Sequence, residues 1–163
     1  MKTIKLGYEG KEVTLLQQAL KPSGYSVPEG RVFLYSKWEK GHYKGGMGEY
    51  DRLEQARKIY LEAADSSASW GMFQIMGFNY TACGEKNVES FVATMHESEL
   101  KQLILAARFI RQAGILPALQ TKNWAEFARR YNGPVYAQNG YDKKLVGAYT
   151  VSYTHLTLPT NSR

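Results

Sequence analysis

The stretch Ser66–Gly77, with the sequence SSASWGMFQIMG, carries the most informative pattern in this 163-residue chain. Its small residues allow two backbone segments to approach each other closely. Trp70 and Phe73 can form an apolar wall for a sugar ring, and the amide of Gln74 can hydrogen-bond an N-acetyl or hydroxyl group. Taken alone, the same residues are as typical of a well-packed turn in a protein core, so both interpretations stay open here.

Helical periodicity dominates the chain on both sides of this stretch. It predicts one helix over Glu49–Ala64, a second over Val88–Glu97, and a third that begins after Ser98 and runs to about Ala113. For the third helix we expect an inward stripe formed by Leu100, Leu103, Ile104, Ala107 and Ile110.

Two further helices are expected towards the carboxyl end. Asn123 and Glu126 have the spacing of a capping box, and they precede an amphipathic pattern that begins at Trp124. The sequence Asn132-Gly133-Pro134 should end that helix sharply. A last helix is predicted over Tyr141–Tyr149, where the helical pattern stops.

The residues before Glu49 give weaker signals. Val13, Leu16 and Leu20 fall on one helical stripe, and Val32–Tyr35 is consistent with a short strand. The fold class we expect is mostly α: five or six short helices in an orthogonal arrangement, with one small strand pair.

Charge and composition limit the possible functions. A net charge of +6 favours anionic polymers, which include nucleic acid, acidic lipid and anionic cell-wall polymers. The positive charges are scattered, and Arg129-Arg130 alone is a weak signal for a helical nucleic-acid-binding domain, so no nucleic-acid partner is expected. Cys83 is the single cysteine, which excludes an internal disulfide.

Neither targeting nor metal chemistry is indicated. The start of the chain has no apolar signal segment, and no stretch approaches the roughly 18 apolar residues that span a bilayer. We therefore expect synthesis in the cytoplasm without a signal peptide, and no membrane insertion. His96-Glu97 is not followed by a second His four residues on, so we expect a hinge there, no metal and no cofactor. A monomer is expected.

Three blocks, in this order, resemble the N-acetylmuramidase domain of phage endolysins: SASWGMFQIMGFNYTACG from Ser67, FVATMHESELKQL from Phe91, and WAEFARRYNGPVYAQNGYDKKL from Trp124. The resemblance covers residues 44 to 149. It implies a small lysozyme-like helical domain, incomplete at its N-terminal side. It also implies peptidoglycan glycan strands as partner, hydrolysis of the MurNAc–GlcNAc β-1,4 bond, and action on the bacterial wall after release from the cytoplasm. The substrate-binding residues it implies are Ser69, Trp70, Phe73, Gln74, Tyr131 and Asn132.

The two ends of the chain carry resemblances of their own. LGYEGKEVTLLQQALKPSGYSV, from Leu6, resembles the opening of a small peptidoglycan-binding domain. The tail VSYTHLTLPTNSR resembles a translated sequencing adapter, so we expect it to be non-native. The predicted organisation is therefore a binding-domain fragment over 1–30, a partial muramidase-like domain over 31–150, and a non-native tail over 151–163.

The family's general acid is predicted to be missing. In the family it is a Glu in a V-E-S-G-G type motif, followed by an L-F-E-x-H type motif, and both would fall before Ser36. Neither stands in this sequence. Glu62 lies closest in sequence to the Ser69-Trp70-Gly71 turn and is a weak candidate for the general acid. The alternative is that Glu62 is simply a solvated residue on the face of a helix. The expected function is an impaired peptidoglycan muramidase, with a non-catalytic peptidoglycan-binding module as the alternative.

Overall fold

A computed structural model describes residues 5–6 and 46–157 of the chain. The described part is mostly helical, which confirms the expected fold class. Its helices are α1 Gly48–Arg57, α2 Leu61–Ser67, α3 Val88–Glu97, α4 Glu99–Gln112, α5 Leu116–Gln120, α6 Trp124–Asn132 and α7 Tyr141–Thr157. The predicted helix with Val13, Leu16 and Leu20 and the predicted strand Val32–Tyr35 lie outside the described residues.

A small antiparallel sheet accompanies these helices. Its strands are β1 Lys5–Leu6, β2 Ala68–Trp70 and β3 Ile75–Met76, in the order β1-β2-β3. Ser69, in the central strand, is the register partner of Lys5 on one side and of Met76 on the other. The stretch SSASWGMFQIMG is therefore a β-hairpin that follows directly from α2.

The chain divides into two compact units, Met1–Phe109 and Ile110–Arg163. The core of the first unit is built from α1 to α4 and the hairpin, and consists of Leu53, Ala56, Ala64, Ala68, Trp70, Ile75, Cys83, Val88, Phe91, Val92, Met95, Leu105 and Ala106. The second unit buries Ile115, Ala118, Phe127 and Ala128. The domain boundaries expected at 30 and 150 stay predictions.

Cys83 lies in the first core and is fully buried as a free thiol. Burial raises the pKa of this thiol to about 12, with a smaller contribution from the carboxylate of Glu85. Since only the thiolate is strongly nucleophilic, Cys83 acts here as a small apolar residue.

The helix predicted over Glu49–Ala64 is in fact two helices. The backbone is extended at Tyr60, which has φ −156° and ψ 105° and begins α2. The β-branched Ile59 and the aromatic Tyr60 are weaker helix formers than their neighbours, so a break there is inexpensive. The break turns the chain so that Arg57, at the end of α1, reaches Asp65 in α2 at 2.6 Å.

The first turn of α1 holds a buried ion pair. The guanidinium of Arg52 donates to the carboxylate of Glu49 at 2.7 Å, and both side chains are 2% exposed. A buried pair of this kind is tolerated only because each charge neutralises the other.

The apolar stripe predicted to face inward from α4 is wrong. Leu100, Leu103 and Ile104 are 65%, 51% and 38% exposed, whereas Leu105 is fully buried. The helix has two apolar faces, and Gln102 decides between them because its amide bonds to groups in the first unit. Periodicity alone cannot reveal such a polar anchor.

This orientation predicts opposite results for two neighbouring leucines. Leu105→Ala should lower the free energy of unfolding by about 2–5 kcal/mol, because it leaves a cavity in the core. Leu103→Ala should change it by less than about 1 kcal/mol. Urea unfolding followed by circular dichroism measures both, and equal losses would contradict the observed orientation of α4.

Helix α7 runs to Thr157, beyond the predicted end at Tyr149. The hydroxyl of Thr150 donates to the carbonyl of Val146 at 2.9 Å, and that of Thr154 to the carbonyl of Thr150 at 2.8 Å. The two hydroxyls are thus satisfied within the helix itself. The prediction that 151–163 is non-native concerns the origin of the sequence and stays a prediction.

Among the helices of residues 46–157, none has both the length and the apolar character needed to cross a lipid bilayer.

Candidate functional site

The candidate site is the tip of the β2–β3 hairpin, Gly71–Gln74. Two positive φ angles make this tight turn: 71° at Gly71 and 51° at Gln74. The second is unusual because Gln74 has a side chain, and the left-handed region is costly for such residues. A conformation of this kind persists only where surrounding bonds hold it.

Those bonds come from the predicted site residues Ser69 and Gln74. The Ser69 hydroxyl, fully buried, donates to Oε1 of Gln74 at 2.9 Å. Nε2 of Gln74 donates to the carbonyl of Gly71 at 2.8 Å. Both the oxygen and the nitrogen of the Gln74 amide therefore form hydrogen bonds within the turn. The side chain stabilises the conformation of the tip.

Trp70 is an interior residue. Its side chain is 2% exposed, and its indole Nε1 donates to the carbonyl of Asp65 at 2.9 Å. The guanidinium of Arg57 lies over the ring at 5.6 Å, and the ring of His96 meets it edge-on at 5.8 Å. This burial matches the alternative of a well-packed core turn, and the substrate-binding role expected of Trp70 stays a prediction.

The accessible apolar surface of the tip comes from the two residues after Gly71. Met72 is 50% exposed. Phe73 is half-buried, and one part of its side chain packs on the core of the first unit. A ring held in this way, with limited freedom, is suited to contact the apolar face of a sugar.

Gln102 is the residue supporting the hairpin tip that sequence reasoning missed. It lies in α4, 6% exposed, where its Oε1 accepts from the backbone N–H of Met72 at 2.9 Å and its Nε2 donates to the carbonyl of Met95 at 2.8 Å. A Cβ on Gly71 would lie 2.7 Å from this Oε1, and the φ of 71° at this position also favours glycine. The one available signal was a Gln between the leucines of an apolar helix.

Replacing this amide should loosen the hairpin tip. Gln102→Leu leaves the N–H of Met72 and the carbonyl of Met95 without their partner, at a cost of about 1–3 kcal/mol for each group left unsatisfied in the interior. Chemical unfolding measures the loss. The control is Gln112→Leu, an exposed position in the same helix. Similar unfolding curves for the two variants would contradict the anchoring role of Gln102.

At the end of the hairpin away from the tip, the backbone of Gly77 packs closely against the backbone of Asp65. Gly77 follows β3 and lies so close to the carbonyl of Asp65 that an added Cβ would collide with that oxygen. The neighbour is backbone and cannot rotate away. This is the close approach that the small residues of the stretch were expected to allow.

Gly77→Ala should therefore destabilise the first unit strongly, by about 3 kcal/mol or more, because the hairpin must move off α2. Gly147→Ala is the matched control, since a Cβ at that helical position meets no atom within 4 Å. It should stabilise the chain by about 0.5–1 kcal/mol. Thermal unfolding of both variants tests the contrast, and a tolerated Gly77→Ala would refute the contact.

Two acidic residues lie near the hairpin. Glu62 is exposed on α2, where the Tyr60 hydroxyl lies 3.5 Å from its carboxylate. Asp65 is 5% exposed at its side chain, and burial raises the pKa of its carboxyl while the Arg57 guanidinium lowers it. A general acid needs a raised pKa and access to the bond it protonates. Glu62 could reach a ligand but is surrounded by water. Asp65 is shielded from water, but its carboxylate is held in the ion pair with Arg57.

The remaining predicted residues lie in the second unit. Tyr131 is half-buried near the end of α6, and its ring stacks on that of Phe127 at 5.5 Å. Asn132 is the last residue of the helix, and Gly133 follows with φ 86°. This confirms that Asn132-Gly133-Pro134 ends the helix. The structure thus brings Ser69, Trp70, Phe73 and Gln74 together, and separately Tyr131 with Asn132.

His96 and Glu97 lie where one helix gives way to the next. They form the last turn of α3, and Ser98 separates them from α4, so the expected hinge is present. In the part of the chain that the structure describes, no three His, Cys, Asp or Glu side chains converge.

Comparison with known proteins identifies the family. The family model for N-acetylmuramidase (Muramidase) matches residues 11–152. No curated protein matches. Among solved structures, the chain is similar to the crystal structure of the Burkholderia AP3 phage endolysin, with 34% sequence identity and a TM-score of 0.75. The match covers 94% of this chain and 60% of that one, so the chain spans less than two thirds of the endolysin's length.

The family match extends over most of the chain and includes the hairpin, α3, α4 and α6, where the three sequence blocks lie. The chain therefore belongs to the N-acetylmuramidase family.

Proposed function

We propose that this chain binds the glycan strands of peptidoglycan through the hairpin tip, and that its hydrolysis of the MurNAc–GlcNAc β-1,4 bond is impaired. The family match over residues 11–152 is the observation that carries the substrate class. The similarity to a phage endolysin supports the same class and an action on the bacterial wall.

The geometry of the tip supports binding. Gln102 and Ser69 hold the turn from inside, so that Met72 and Phe73 are presented on a rigid support. Rigid presentation lowers the conformational entropy lost when a ligand binds. The net charge of +6 adds long-range attraction towards anionic wall polymers.

The carboxylates support the impairment. Glycoside hydrolysis needs one carboxyl group that protonates the leaving oxygen, and usually a second group on the opposite face of the sugar. Among residues 46–157, Glu62 is exposed to water on its helix and Asp65 is buried in an ion pair with Arg57, so neither is both shielded from water and open to a bound glycan. A positioned general acid contributes about 10²–10⁴-fold to the rate, so its lack leaves binding with little turnover.

The second candidate function is a non-catalytic peptidoglycan-binding module, which would bind glycan strands and not hydrolyse them at all. The observation that favours it is the 2.6 Å pair between Asp65 and Arg57, which engages the buried carboxylate near the hairpin. Measured turnover separates the two candidates.

Two assays on the full chain test binding and cleavage independently. The chain should pellet with insoluble peptidoglycan, while its release of reducing ends should lie about 10²-fold or more below that of an active muramidase. Phe73→Ala should weaken pelleting, and Phe78→Ala, at a 39% exposed phenylalanine outside the tip, is the control. Glu62→Gln should leave any residual cleavage unchanged.

Failure of the two parts would look different. A chain that stays in the supernatant contradicts the binding proposal, whatever its activity. A chain that clears cell walls as fast as an active muramidase contradicts the impairment. If Glu62→Gln then abolished clearing, Glu62 would be the general acid after all.

A further inference from the structure

A lysine in the second unit is held in an unusual backbone conformation. Lys122 lies in the turn between α5 and α6 with φ 56°, in the left-handed region that is costly for residues with a side chain. Its N–H donates to the carbonyl of Leu119 at 3.1 Å, and the N–H of Asn123 donates to the carbonyl of Ala118 at 2.9 Å. These two bonds form a helix end of the Schellman type, at which glycine is the usual residue. The reason for a lysine is therefore to be sought in its side chain.

The side chain of Lys122 meets two aromatic rings. Its Nζ lies over the ring of Tyr149, 4.8 Å from the centroid, and the ring of Trp124 lies 5.3 Å from that of Tyr149. Lys122 is exposed, and the two rings are half-buried. Tyr153 also contacts Tyr149, at 6.0 Å, but it lies in the segment expected to be non-native. We call Lys122, Trp124 and Tyr149 the Lys122 site.

The charges of the second unit favour an anionic ligand at this site. Residues 110–157 carry six basic and two acidic side chains, whereas residues 46–109 carry six basic and nine acidic. Of the two acids, Glu126 is held by Arg129 through bonds of 2.7 and 2.9 Å. Asp142 lies in the first turn of α7, about two turns before Tyr149. No carboxylate of residues 46–157 forms an ion pair with Lys122, so its ammonium can accept one from a ligand.

We propose that the Lys122 site is a second contact for peptidoglycan, in which the ammonium of Lys122 binds a stem-peptide carboxylate and the ring of Trp124 packs against the adjoining sugar. The inference rests on the proposed function for the identity of the polymer. Peptidoglycan presents the two groups side by side, because its muramic acid residues carry peptides with free carboxylates. An ammonium forms strong charge-assisted hydrogen bonds to a carboxylate, and an aromatic face suits the apolar face of a sugar.

A nucleic acid is a poorer ligand for the same site. Its phosphates are usually contacted by several cations that follow the backbone. The two arginines at the end of α6 are already engaged: Arg129 bonds to Glu126, and Arg130 donates to the carbonyl of Gly114 at 2.7 Å. One free ammonium beside two rings suits a single carboxylate on a saccharide better than a row of phosphates.

Replacing Lys122 by glycine separates binding from folding in the full chain. Lys122→Gly should raise the dissociation constant for purified insoluble peptidoglycan, measured by pelleting, about tenfold. The same variant should unfold at the temperature of the parent chain or above it, because glycine suits the left-handed turn. Lys143→Gln removes one charge at an exposed position of α7 outside the site, and its dissociation constant should stay within about twofold of that of the parent chain.

Chemical modification of the polymer tests the carboxylate. Peptidoglycan whose carboxyl groups have been converted to amides should bind the parent chain about as weakly as untreated peptidoglycan binds Lys122→Gly. The variant itself should bind both polymers equally, since it no longer has the ammonium that senses the charge. If amidation weakens the parent chain and the variant by the same factor, Lys122 is not the group that meets the carboxylate.

The sugar contact is tested at Trp124. Trp124→Leu should weaken binding to both forms of peptidoglycan, whereas Trp124→Phe, which keeps an aromatic face, should retain most of it. Circular dichroism checks that both variants fold. Equal binding by the leucine and phenylalanine variants would contradict a role for the ring.

The pattern of binding distinguishes failure of this inference from failure of the proposed function. If Lys122→Gly pellets like the parent chain and Phe73→Ala does not, the Lys122 site alone is contradicted. If Lys122→Gly loses binding and Phe73→Ala does not, the Lys122 site stands and the hairpin tip is contradicted. A parent chain that stays in the supernatant contradicts both. Binding to a random DNA duplex that is lost in Lys122→Gly, with unchanged binding to peptidoglycan, would assign the site to nucleic acid.

Discussion

The carbonyl oxygen of Asp65 is the point on which the first unit depends. It accepts the indole N–H of Trp70 and lies against the Cα of Gly77, so one backbone atom fixes both strands of the hairpin. Trp70 then places its ring between Arg57 and His96 and fills the centre of the core. Any shift of α2 would therefore move the strands, the indole and the turn at the tip together.

The tip is built from polar groups directed inward. Ser69 and Gln74 bond to each other, and the amides of Gln74 and Gln102 also bond to the backbone. The side chains that remain at the surface are those of Met72 and Phe73. This inverts the usual expectation for a sugar site, in which polar side chains face the ligand. It suits a loop whose conformation must be held before binding, because an unsupported left-handed residue at Gln74 would favour other turns.

Much of this architecture follows from the sequence. The boundaries of α3 and α4, the end of α6 at Asn132 and the mostly helical class are local properties, set by caps and breakers. The orientation of α4 is not local, because it depends on which face finds a partner elsewhere in the chain. Gln102 supplies that partner through Met72, thirty residues away. Likewise, an aromatic residue such as Trp70 has the same sequence signature whether it lines a cleft or fills a core.

The buried thiol of Cys83 has a consequence for measurement. Burial raises the pKa of this thiol to about 12, so in the folded protein it is almost entirely protonated at neutral pH and has no surface open to solvent. A thiol-reactive dye would label Cys83 only when the first unit opens, so the rate of labelling measures how often this part of the structure unfolds locally.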